Sequence, residues 1–138
     1  MKHRLSPEDV AFLEAFEACR LGKGTFHHRE HIQLAYIVLA RHPLEEAYPR
    51  FKALLLKFLE ANGIEEGKYH ETMTYAWLLA VRHCMQQGGV TAGSAPFIEV
   101  NPMLLDTNIL FTHYTRERLL SDAAREAFVE PDLAPIPQ

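Results

Sequence analysis

Histidine is the residue type best placed to do chemistry in this chain. Eight occur in 138 residues, at positions 3, 27, 28, 31, 42, 70, 83 and 113, and no tag-like run accounts for them. An imidazole binds transition metals when neutral and exchanges protons near pH 7. Which of the eight matter is decided by placement, because a buried polar group left unpaired costs about 1–3 kcal/mol.

Helical phase, at about 100° per residue, sorts them. On a helix expected over 26–41, Ile32, Ala35, Val38 and Leu39 define an apolar arc, and Arg29, Gln33 and Arg41 define the wet side. His28 and His31 fall inside the arc, three residues apart and so on one face. His27 lies at its edge. On a helix expected over 68–87, Met73, Trp77, Ala80, Val81 and Cys84 share an arc. His70 sits near its middle, Thr74 lies one turn on, Glu71 falls at the boundary, and His83 falls outside. The arc of an intervening helix (Phe51, Leu54, Leu55, Phe58, Leu59) holds no polar residue, so polar groups are concentrated on two helices.

If those two helices pack together, His28, His31 and His70 converge as three imidazoles with an open position. That is the ligand set of a catalytic Zn, Fe, Ni or Cu site. Glu71 would orient a ligand or act as base toward a bound water. A small-molecule substrate would enter between the helices near Trp77, Thr74 and Tyr75. Hydrolysis by metal-bound water and oxygen chemistry at Fe(II) both fit an all-nitrogen set. A small metal-dependent enzyme is therefore the leading expectation.

Two alternatives stay open. The histidines could line a non-catalytic pocket for an organic ligand or haem, or sense metal or pH. They could also be ordinary core residues of a structural or partner-binding helical domain, since one buried histidine is usually satisfied by a backbone carbonyl. Glu71 has a bland role available as a first-turn acid on the helix dipole, and Met73 and Trp77 as plain core. His27, His42, His83 and His113 are expected at surface, cap or boundary positions, with His113 the first to promote to a fourth ligand.

His27-His28-Arg29-Glu30-His31 also matches H-x-x-E-H, the inverted zinc-protease pattern. Phase opposes it, because Glu30 points to the wet side with Arg29 while His28 takes the inner position. The chain carries no Gly-rich phosphate loop, G-x-S-x-G elbow or C-x-x-C pair.

The elements that must position these residues are helices. Ser6-Pro7-Glu8-Asp9 opens a first helix that carries Val10, Leu13 and Phe16 inward and stops by Gly22. Thr25 caps the second, about 26–41. The third runs from Pro43 to Ala61, closed by Asn62-Gly63, with Pro49 expected to kink it or split off its first turn. The fourth runs from about Lys68 to Gln87 and stops at Gly88-Gly89. Short helices are expected over 95–101 and after Asn101-Pro102 and Ser121-Asp122, and 129–138 is a Pro-rich extended tail. The expected architecture is all-α: one domain over 1–138, a bundle of four longer helices plus short C-terminal ones.

Composition narrows the partners. Net charge is −4 with 14 basic residues spread along the chain, which leaves no footprint for nucleic acid. No stretch is long enough to span a membrane, and the N-terminus lacks the apolar run of a signal peptide. Cys19 and Cys84 form no spaced framework and are expected to be buried, reduced thiols in a cytoplasmic protein. An apolar helical surface would suit a homodimer, although no residue pattern specifies one.

The motif Phe26-His27-His28-Arg29-Glu30-His31, followed by Tyr69-His70-Glu71-Thr72-Met73-Thr74, resembles a group of small bacterial helical proteins. The shared patterns are F-x-H-x-x-H and Y-H-E-T-x-T, with late Asn-Pro and Pro-Asp features, covering Phe26 to Pro131. The resemblance implies a role for His28, His31, His70 and Glu71, leaves His27 outside the motif, and implies no particular reaction.

Overall fold

Capping residues and apolar periodicity are answered by seven α-helices in the computed structural model, which describes residues 3–137, Lys23 and Glu66 by backbone alone. They are α1 (Pro7–Glu17), α2 (His28–Arg41), α3 (Leu44–Ala61), α4 (Glu71–Gln87), α5 (Ser94–Val100), α6 (Arg116–Leu119) and α7 (Asp122–Glu126). Short 3-10 turns lie at Lys23–Thr25, Glu66–Lys68, Pro102–Leu105 and Ile109–Thr112, and no strand occurs among the described residues. The chain is an all-helical bundle.

At its centre stands α2. Ile32, Leu34, Ala35, Tyr36 and Ile37 are each fully buried, so this helix is covered on more sides than a single apolar stripe would need. It packs against α1, α3, α4 and α5. From α3 come Phe51, Leu55 and Phe58, and from α4 Leu78, Val81 and Met85, all in the same core. A second, smaller core lies on the other side of α4, where Ala76 and Leu79 meet Leu110, Tyr114, Leu119 and Ile136. Ile136 anchors the Pro-rich tail there, and Leu133 N–H donates to His113 O at 2.9 Å.

One buried carboxylate ties three helices together. Asp9 closes a capping box with Ser6 at the start of α1. It also accepts from Ser94 N–H at 2.8 Å, from the Ser94 hydroxyl, and from Gln33 Nε2 at 3.1 Å. Burial alone would raise its pKa, but these hydrogen bonds outweigh it and hold the carboxyl below its ordinary value. The contact demands glycine at 93, because a Cβ there would lie 2.7 Å from Ser6 Cβ.

Several expected boundaries and one burial expectation are corrected. Helix α1 stops before Gly22 as expected, at Glu17, in a Schellman-type turn: Arg20 N–H donates to Ala15 O and Cys19 N–H to Phe16 O. Cys19 takes the left-handed position usually given to glycine, with φ 58°, and is therefore exposed, not buried. Thr25 does not cap α2; its hydroxyl turns back to Gly22 O, and His27 occupies the cap position. Pro49 sits inside α3 without splitting off its first turn, as it costs one internal N–H at an exposed site. Helix α4 begins at Glu71, three residues late, for a reason that bears on the site.

Candidate functional site

The N-terminal ends of α2 and α4 and the body of α3 surround a cavity of about 460 Å³. Its walls are mostly apolar: Phe51, Leu55, Phe58 and Leu59 from α3, Phe26 and Ile64 from the loops, and Met73 and Trp77 from α4. The α3 arc, which the sequence presents as plain core, is thus the cavity's hydrophobic wall. His27, His28, His31, Lys68, Tyr69, His70 and Thr74 supply its polar groups. A volume of this size suits an organic molecule with a few oriented polar contacts.

His28, His31 and His70 therefore line one cavity, but they are in three different states. His28 is a strut. Its Nε2 donates to Leu104 O at 2.8 Å, which pins the Pro102–Leu105 turn to α2, and its ring meets Trp77 edge-on at 4.6 Å. In the neutral ring Nδ1 is then a lone-pair acceptor.

His70 is a helix cap. It precedes α4 in extended conformation, and its Nδ1 accepts from Met73 N–H at 3.1 Å. Its Nε2 donates to Leu119 O at 2.8 Å, joining α4 to α6. Both ring nitrogens are in use, so a metal at His70 would have to break one of these bonds. The apolar-arc placement expected for His70 assumed that it lay within the helix, and the cap geometry removes that assumption. Burial lowers its pKa, with Arg125 adding to the effect and the Leu119 hydrogen bond opposing it.

His31 is the group with chemistry to spare. Among the described residues no hydrogen bond reaches its ring, whose contact is Phe26 at 4.3 Å between centroids. Burial, with His28 nearby, brings its pKa down to about 4, so the imidazole is neutral at physiological pH. Tyr69 makes a similar gap in the wall. Its hydroxyl is buried with no hydrogen-bond partner among the described residues. Thr74 is the polar group beside it: its hydroxyl gives its hydrogen to His70 O at 2.8 Å and turns a lone pair toward Tyr69. That lone pair is close enough to oppose the burial that raises the phenol's pKa, but without the geometry of a made hydrogen bond. Sequence phase missed Tyr69 because it lies before α4; its place in the Tyr69-His70-Glu71-Thr72 motif was the available signal.

The remaining expected residues lie further out. Glu71 is buried at the start of α4 and outside the cavity lining, with Lys52 Nζ of α3 at 2.7 Å from Oε1. Burial pushes its pKa up despite that lysine. Trp77 and Thr74 line the cavity, whereas Tyr75 points into the second core between Tyr48 and Phe128. His113 faces the tail, with Nδ1 at 2.8 Å from Ala134 O. Glu30 accepts from His27 N–H at 2.9 Å and so caps α2, which gives it a backbone duty in place of a base facing the cavity. Among the described residues no three His, Cys, Asp or Glu side chains are arranged around one metal position.

No helix among the described residues is long and apolar enough to cross a membrane. No known protein family, no curated protein and no solved structure matches the chain, so it is placed by its own geometry.

Proposed function

We propose that the protein binds a small organic molecule in the cavity between α2, α3 and α4. The observation that carries this reading is the pairing of two unused polar groups, the His31 imidazole and the buried Tyr69 hydroxyl, in an otherwise apolar wall. Buried polar groups in folded proteins almost always have partners. A ligand that hydrogen-bonds both would remove the cost of leaving them bare. His31 is better suited to binding than to general-base catalysis, because a base with a pKa of about 4 takes a proton only weakly at pH 7.

Trp77 gives a direct test, since it is the chain's one tryptophan and lines the cavity. Aromatic fragments that bind should shift its emission and raise the melting temperature together. Tyr69→Phe should weaken hydrogen-bonding fragments about tenfold, the loss of one good hydrogen bond, while leaving the fold at least as stable. Fragments that raise the melting temperature without moving Trp77 emission would place binding elsewhere and refute the reading.

A metal-dependent enzyme is the second reading. It is favoured by His31 being already deprotonated, as a ligand must be, and by His28 and His31 lining the same space. Zn, Fe(II), Ni or Cu offered to untagged protein would then bind at one equivalent, and His31→Ala would abolish that binding.

A further inference from the structure

Resting on the reading of the cavity as an organic-ligand site, we infer that its ligand is an organic acid: an apolar, ring-sized body with a single carboxylate. Among the described residues the polar lining offers hydrogen-bond donors and one lysine charge, and nothing negative. Four histidines and Lys68 contribute to it, and among the described residues no aspartate or glutamate does. Glu71, next to His70 in sequence, stands outside the lining and is held by Lys52.

The unused groups match the same headgroup. Tyr69 O–H is buried without a partner and can donate to one carboxylate oxygen. A neutral His31 offers one N–H to the other. Lys68 lines the cavity with an exposed side chain, which places a positive charge where the headgroup would meet solvent. Hydrogen bonds to an ionised acceptor are about twice as strong as neutral ones, so an acid gains more from this set than an alcohol does. A cationic ligand would have to lose its water against five groups that offer it no opposite charge. The phenylalanines and leucines of the wall fit the remainder of the molecule.

A matched series of probes tests this: 2-naphthoate, 2-naphthol and 2-naphthylmethylamine, titrated calorimetrically into the whole protein at pH 7.5. The acid should bind about tenfold or more tighter than the alcohol, and the amine should not bind at the same concentrations. Lys68→Gln, at an exposed position, should weaken the acid several-fold and leave the alcohol unchanged. Tight binding of the alcohol or the amine in preference to the acid would overturn the acid class and leave the organic-ligand reading standing. An acid unaffected by Lys68→Gln would overturn the headgroup placement. Binding by none of the three would overturn both.

Discussion

His70 offers the sharpest test of how the site is built, because its imidazole is assigned two structural bonds. His70→Ala removes the cap on Met73 N–H and leaves Leu119 O without its donor, on a residue that is fully buried. Loss of an N-cap costs about 1 kcal/mol, and a buried unpaired carbonyl about 1–3 kcal/mol. Together these should lower stability by about 3 kcal/mol. For a chain of this length that is a fall in melting temperature of roughly 10 °C. His70→Asn separates the two effects. Asparagine is an excellent cap but too short to reach α6, so it should recover about 1 kcal/mol of the loss. Thermal unfolding followed by circular dichroism, with and without a chelator, measures both. If the two variants melt with the wild type, or if Asn is no better than Ala, the cap assignment is wrong. If the destabilisation vanishes in chelator, His70 acts through a metal instead.

Three further outcomes follow from the same structure. The unfolded His31 pKa is near 6.5 and the folded value is about 4, so as pH falls below 6.5 the unfolded chain takes up a proton that the folded chain refuses. Stability is fully present above pH 6.5 and is lost by about 1.4 kcal/mol per unit down to pH 4; urea unfolding at pH 7, 6 and 5 should show that slope flattened in His31→Gln. Asp9→Ala strips the shared acceptor from Ser6, Ser94 and Gln33 and should cost at least about 3 kcal/mol, measurable by denaturant titration; a cost under 1 kcal/mol would contradict its role as a tie between α1, α2 and α5. Cys19→Gly relieves a left-handed residue at the end of α1 and should raise stability by about 0.5–1 kcal/mol in the same assay.

The helices were legible in the sequence because their signals are local. Ser6 and Ser121 cap α1 and α7 by the bonds their side chains suggest, and the Phe51-Leu55-Phe58 arc faces the core. The choice of His28, His31 and His70 also led to one cavity. The differences among the three were not legible, because they depend on distant chain. Leu104 lies 76 residues from His28, and Leu119 lies 49 from His70. Those carbonyls decide which imidazoles are occupied, and helical phase carries no information about them. The start of α4 was misplaced for a related reason. His70 fills a cap position where serine is the usual marker, so composition alone started the helix about three residues early. Cys19 takes a left-handed position where glycine is usual, so its exposure was not foreseen.

The central claim is that the cavity between α2, α3 and α4 is a ligand site whose unused groups are His31 and Tyr69. A crystal structure of the protein soaked with 2-naphthoate tests it most directly. The expected result is ring density against Phe58 and Trp77, with polar atoms within hydrogen-bond distance of the Tyr69 hydroxyl and the His31 ring. Density for the compound only outside the cavity, with His31 and Tyr69 still unpartnered, would contradict it.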